Sequence, residues 1–299
     1  MENFALIFTA LFIGYIINKA DIFPKDTHII LNQFILYISL PAMALLQIPK
    51  LTLSYEVVIP VLIAWSVMSL SALFIFQTSK LLGFTKNTTG ALMLVGVLGN
   101  TSFLGIPIIR AYLGEEALGY VLMYDQLGSF IALSTYGTFV SVYYSNTKDV
   151  NIGAILKKIT TFPPFLSLLV ALFFIGTSFH PIVLSVLTSL SNTIVPLALV
   201  AVGLQLKFKI HADELKPFAL ALMTTLIIAP IIAYGITALF SWQNLASQVS
   251  IMEASMGPMI TAGAVASMSG LAPRLSSSII GYGTLLSFLT TWIVYHIII

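Results

Sequence analysis

An all-helical protein that crosses a lipid bilayer many times is predicted, and three observations predict it. Only 8% of the 299 residues are charged, 58% are hydrophobic, and the mean hydropathy is +1.01. A soluble domain carries about 25% charged residues. The apolar residues run over the whole length, in stretches near the roughly 20 residues a helix needs to cross a ~30 Å hydrocarbon core. Those stretches are too long and unbroken for barrel strands, which alternate over about ten residues. A soluble enzyme, a disordered chain and a nucleic-acid binder are thereby excluded. With no cysteine there is neither a disulfide nor a thiolate metal site.

Ten spans follow in order, each bounded by charged or turn-forming residues. Span one, 3–18, stops at Lys19, and span two, 28–47, lies between Lys25-Asp26 and Pro49-Lys50. Span three, 55–79, ends at Lys80, and span four, 88–113, runs from Lys86-Asn87 to Gly114. Span five, 117–144, follows Glu115-Glu116 and ends at a polar linker, 146–154. Span six is 155–176, and span seven, 181–206, opens on Pro181 and closes at Lys207. Span eight, 215–240, follows Asp213-Glu214, span nine, 245–270, follows Asn244, and span ten, 275–298, follows Arg274. The first run does not read as a cleaved signal, because Met1-Glu2-Asn3 is acidic and positive charge comes after the run.

Loop charge orients the chain. One set of alternate loops holds Lys19, Lys25, Lys80, Lys86, Lys148, Lys157, Lys158, Lys207, Lys209, Lys216 and Arg274; the other holds Lys50 and Arg110. Eleven basic residues against two put the first set in the cytoplasm, with both termini outside and the protein multi-pass in the inner membrane.

Ten spans divide at the linker into repeats 1–145 and 155–299. An odd number of spans per half turns the second half upside down, as in secondary transporters. At an offset of 155, Pro41 falls on Pro196, Asn100 on Ser255 and Gly128 on Gly283. The fourth span of each half carries the main signal. Span four contains Gly99, Asn100, Thr101, Ser102, Gly105 and Pro107; span nine contains Glu253, Ser255, Gly257, Pro258 and Thr261. Glycine and proline weaken helices, and hydroxyls and amides beside them suit a break facing a cavity. Gly99, Gly105, Pro107, Gly257 and Pro258 are the expected hinge positions, against the simpler reading that small residues only let helices pack closely.

The segments Leu98-Gly-Asn-Thr-Ser-Phe-Leu-Gly-Ile-Pro107, Tyr124-Asp-Gln-Leu-Gly-Ser-Phe130 and Leu40-Pro-Ala-Met43 resemble the auxin efflux carrier family, as a prokaryotic member related to the PIN-type carriers. The resemblance covers essentially the whole chain. It implies the fold shared with bile acid:sodium symporters, with helices four and nine crossing at their breaks, a scaffold domain and a crossover domain each built from both repeats, and elevator-like alternating access. It implies small organic anions, carboxylates above all, as cargo. Gly257-Pro258-Met-Ile-Thr261 stands where two adjacent prolines followed by Val-Asn are expected.

Asn100, Thr101, Ser102, Ser255, Pro258 and Thr261 are the expected cargo residues, because a carboxylate needs donors and half-helix N-termini supply them. Two acids lie inside apolar runs, where charge is expensive and marks function. Glu253 is the expected handle for a coupling proton or sodium ion, with Asp125, Gln126 and Ser129 as neighbours. The likeness to the symporters implies one sodium site, from Glu253, Asn100 and Ser129; Gly257 stands where a second site would need glutamine. Arg110 reads as a snorkelling side chain near a span end, or alternatively as an attractor of anions. Trp65, Trp242 and Trp292 read as interfacial or packing residues, and dispersed histidines speak against a transition-metal site. No phosphate-binding GxxxxGK loop is present, and no cofactor is expected beyond H+ or Na+. Membrane lipid and the anion are the expected partners, and a homodimer stays open. The rival readings are a sodium-coupled symporter, a non-transporting receptor on a carrier fold and, last, an intramembrane hydrolase using Asp125 and Glu253.

Overall fold

The computed structural model describes residues 2–51, 54–145, 152–206, 208 and 210–298. Lys148, Lys207, Lys209 and most of the 146–154 linker lie outside the described residues. All described regular structure is helical, and five helices are each long and apolar enough to cross a membrane: Thr27–Lys50, Tyr55–Leu81, Pro181–Gln205, Ala212–Leu239 and Pro273–Ile298.

In chain order the helical segments are α1 (Glu2–Lys19), α2 (Thr27–Lys50), α3 (Tyr55–Leu81), α4 (Lys86–Val95), α5 (Thr101–Leu113) and α6 (115–145). They continue as α7 (Ile152–Thr160), α8 (Pro163–Leu172), α9 (Pro181–Gln205), α10 (Ala212–Leu239), α11 (Leu245–Ala254), α12 (Ile260–Met268) and α13 (Pro273–Ile298).

Proline explains most of the irregularities. It has no N–H, and its ring collides with the carbonyl four residues back. Three times the helix widens into a π turn just before a proline: Ile35–Ser39 before Pro41, Thr101–Gly105 before Pro107, and Thr224–Ile228 before Pro230. Gly105 and Pro107 therefore sit inside the helix 101–113, beyond the interruption that precedes it. The predicted sixth span, 155–176, is not one helix. Phe162 is extended (φ −77°, ψ 117°) ahead of Pro163-Pro164, which separates α7 from α8, and α8 ends at Leu172.

The helices pack in two groups. In the first, α1 lies along the second half of α9, and α2 packs on α8 and on both halves of α9. Gly14 and Gly203 make the α1–α9 approach possible, since a Cβ on Gly14 would stand 3.1 Å from the Gly203 Cα. Close backbone approach at small residues holds helices together where lipid supplies no hydrophobic drive. In the second group α3 packs on α6, α10 and α11, α4 packs on α12, and α13 packs on α10 and α12. α5 bridges the groups, touching α6 on one side and α1 and α9 on the other.

Candidate functional site

α4 and α11 are ten residues each, about 15 Å at 1.5 Å per residue, which is half of a ~30 Å hydrocarbon core. Both start from side-chain caps. Thr85 Oγ1 accepts from Thr88 N–H (3.2 Å), and Asn244 and Ser247 cap each other's backbone reciprocally. Each is buried over most of its length and then stops short, α4 at Val95 and α11 at Ala254.

The two stops meet. Asn100 N–H donates to Gly257 O and Met259 N–H donates to Leu98 O, both at 2.8 Å, so Gly99 and Pro258 face each other in a single antiparallel bridge. This geometry accounts for the proline. The bridge hydrogen bonds flank the Gly99–Pro258 pair, so the position asks Pro258 for no N–H. Gly257 is needed for space: a Cβ there would stand 2.9 Å from Gly283 O and 3.1 Å from the Thr284 Cα on α13. Gly99 has room, its nearest would-be neighbours being 3.7 Å or more away. Gly257→Ala is therefore expected to destabilise the protein by about 1–3 kcal/mol, and Gly99→Ala to change it little. Thermal unfolding of the two purified variants checks this, and equal losses would contradict the packing.

Beyond the bridge, α5 begins with Asn100 as its cap, Oδ1 accepting from Phe103 N–H at 3.2 Å. Asp125, in a π-helical stretch of α6, gathers the next residues. Its Oδ1 accepts from Thr101 Oγ1 (2.5 Å) and Ser102 Oγ (2.6 Å), and its Oδ2 accepts from Gln126 Nε2. All of these except Ser102 are buried. The Thr101 and Ser102 hydroxyls expected to hold cargo thus already serve a resident carboxylate. Ser255 Oγ likewise donates to Met252 O at 2.7 Å. Three nearby groups keep hydrogen-bonding capacity in reserve: Asn100 Nδ2, Gln126 Oε1 and Thr284 Oγ1 are buried without partners. α12 begins without a side-chain cap, and Thr261 in its first turn is exposed.

Glu253, on α11, lies against the same α5, next to Gly105. It is 1% exposed, and neither carboxyl oxygen has a hydrogen-bond partner. Gly105 makes room for it, because a Cβ there would stand 2.8 Å from the carboxyl carbon. Glu253, Thr101 and Ser129 line one cavity of about 30 Å³, together with Trp65, Tyr124 and Thr225. A water occupies about 10–15 Å³ on this measure, so the cavity has the size of an ion or two waters and not of an organic anion. An isolated buried carboxylate is costly unless it is neutralised by a proton or paired with a cation. Of the residues the symporter likeness implies for sodium, Glu253 and Ser129 share this cavity, whereas Asn100 stands outside its lining.

Several of these residues were not legible in advance. Trp65, read as an interfacial or packing side chain, lines the cavity and donates from Nε1 to Leu127 O at 3.0 Å. Tyr124 opens one of the family-like segments without a role of its own being read there, and Thr225 carries no sequence signal, although the proline at 230 marks the π turn that holds Thr225. Arg110 is engaged rather than free, bonding Glu115 and Asn192.

The family described as membrane transport proteins matches residues 1–295. An uncharacterized transporter of Methanocaldococcus jannaschii is 29% identical over 270 residues, covering 86% of this chain and 85% of the relative. Another, from Methanothermobacter thermautotrophicus, is 24% identical over 295 residues, covering 97% and 95%. Paired helix breaks inside an apolar helical bundle, a buried acid beside them and a match over nearly the full length lead to one conclusion: this chain belongs to the auxin efflux carrier-like family of membrane transporters.

Proposed function

We propose that the protein is a secondary carrier that moves small organic anions, carboxylates foremost, by elevator-like alternating access. The observation that carries this reading is the pair of helix interruptions bonded back to back, with a partnerless buried acid on one side. Such paired interruptions are where transporters place their sites. On the proposed topology the halves are inverted five-span repeats in the inner membrane, with the lysine-rich loops in the cytoplasm. The α1–α2–α8–α9 group acts as scaffold and the other group carries the crossing. Cargo is held by the Asn100 amide and the uncapped first turn of α12, where Thr261 is exposed, because a helix N-terminus favours an anion. The Glu253 cavity takes the coupling proton or cation. Sodium symport is the second reading, favoured by Ser129 and Thr101 sharing that cavity.

Cargo comes from thermal unfolding in the presence of mono- and dicarboxylates, since a ligand that binds the native state raises its stability by mass action. Uptake of the best hit into proteoliposomes is then driven by imposed sodium, proton or voltage gradients. Parent protein is expected to respond to a sodium or a proton gradient, and Glu253→Gln to lose that response. If Glu253→Gln keeps the parent's full ion dependence, the coupling role of Glu253 is wrong.

A further inference from the structure

The two helix groups meet along a seam where α2 and α8 pack on α6; polar side chains tie it at one end of the molecule, and a cleft opens along it at the other. At the end whose loops carry only Lys50 and Arg110, Arg110 Nη2 donates to Glu115 and, at 2.9 Å, to Asn192 Oδ1. Gln47 Nε2 donates to the second oxygen of Glu115 at 3.1 Å, and Lys50 Nζ donates to Gln47 Oε1 at 3.1 Å. Arg110 lies in the last turn of α5 and Glu115 opens α6, with Gly114 between them in the left-handed region (φ +83°), which lets the chain fold Glu115 back onto Arg110. Gln47 and Lys50 belong to α2. Asn192 sits at the bend inside α9, between Ser191 and Ile194.

The chain of bonds thus runs from α2 through the α5–α6 turn to α9, crossing the seam between the groups twice. The Asp125 cluster, the Ser39–Thr193 bond (2.7 Å) and the Ser141–Ser269 bond (2.5 Å) each stay inside one group. At the opposite end a cleft of about 760 Å³ lies between Tyr15, Asn18 and Lys19 of α1 and Arg274 and Ser277 of α13, crossed only by the ring of Phe208, which lies 5.8 Å from that of Tyr15 and 5.4 Å from that of Tyr282 among the described residues.

We propose that Gln47, Arg110, Glu115 and Asn192 form a polar latch that closes the seam at the lysine-poor face while the cleft at the lysine-rich face is open. Only Gln47 is buried; Glu115 keeps half of its side-chain surface exposed and Asn192 is exposed. Exposed pairs of this kind are individually weak, which suits a fastening that must release in every cycle, and Gln47 gives it a fixed register. The latch rests on the alternating-access reading but is read out without cargo.

The chain has no cysteine, so one can be introduced as the only thiol. Leu51 is buried next to the latch, its Cγ 2.9 Å from where a Cβ on Gly119 would stand. In the Leu51→Cys protein in proteoliposomes, labelling by a membrane-impermeant maleimide requires the seam to open. Glu115→Gln and Gln47→Leu are expected to speed it roughly three- to tenfold. Arg110→Glu is expected to do the same, and Arg110→Glu combined with Glu115→Arg to restore slow labelling. Ala91→Cys, buried on α4 inside one group, serves as control and is expected to keep its rate in all variants. Unchanged labelling at Leu51→Cys, an equal rise at Ala91→Cys, or a reversed pair that fails to restore slow labelling would overturn the latch. A carrier without ion coupling would still show the latch effect, so this test fails separately from that of Glu253.

Discussion

Gly105→Ala is expected to cost about 1–3 kcal/mol of stability and to abolish ion-dependent uptake. The added Cβ would stand 2.5 Å from one carboxyl oxygen of Glu253, 2.6 Å from the other and 2.8 Å from the carbon that joins them. Overpacking a tight interior costs in this range because side chains must leave their preferred rotamers. The carboxylate has one direction of retreat, into the 30 Å³ cavity that it lines. If it moves there, it fills the volume a cation or water needs; if it does not, α5 must shift against the bridge at Asn100. The partner variant separates this contact from general damage. Combining Gly105→Ala with Glu253→Ala removes the obstacle, so the two losses should fall well short of additive in a thermal-unfolding cycle. Strictly additive losses would mean that the carboxylate does not rest on Gly105.

Asp125→Ala is expected to have the largest effect on folding, about 3–5 kcal/mol. The carboxylate accepts three hydrogen bonds inside the bundle, and donors left without an acceptor there retain their desolvation cost. Asp125→Asn should be far milder. Its remaining carbonyl oxygen can still accept from Thr101 and Ser102, and its new amide can face the partnerless Oε1 of Gln126 once that side chain turns over. Thermal unfolding of both variants orders them. Uptake by Asp125→Asn across a range of pH then assigns the role: parent-like behaviour throughout leaves Asp125 as the anchor of the α5 N-terminus, and a lost pH response makes it part of the coupling machinery.

Much of this site could be read along the chain because the signals are one-dimensional. A proline or a glycine pair inside an apolar run weakens a helix, and polar amides and hydroxyls beside it mark where it breaks, so the breaks near Asn100 and Gly257 were visible, whereas Pro107 only widens a turn of a helix that continues. So was the unusual position of Glu253, since an acid deep in an apolar stretch is expensive in any fold. Other features depend on partners distant in the chain. Thr101 and Ser102 looked free to hold cargo, but Asp125, more than twenty residues later, engages both hydroxyls. Arg110 read as a lone cation near a span end; it turned out to be bonded to Asn192, 82 positions away. Trp65 read as an interfacial or packing residue because hydropathy cannot say which way an indole points.

Membrane residence, helical class and the two interruptions follow from the sequence by itself, because hydrophobic transfer and backbone hydrogen bonding act residue by residue along an apolar chain. Which groups stay unsatisfied was decided only by the tertiary structure. The pairing of Leu98 with Met259, the seat of Glu253 against Gly105, and the latch between α2, α5, α6 and α9 each need two surfaces to come within about 3 Å. That approach is set by how the helices pack, and no single segment specifies it.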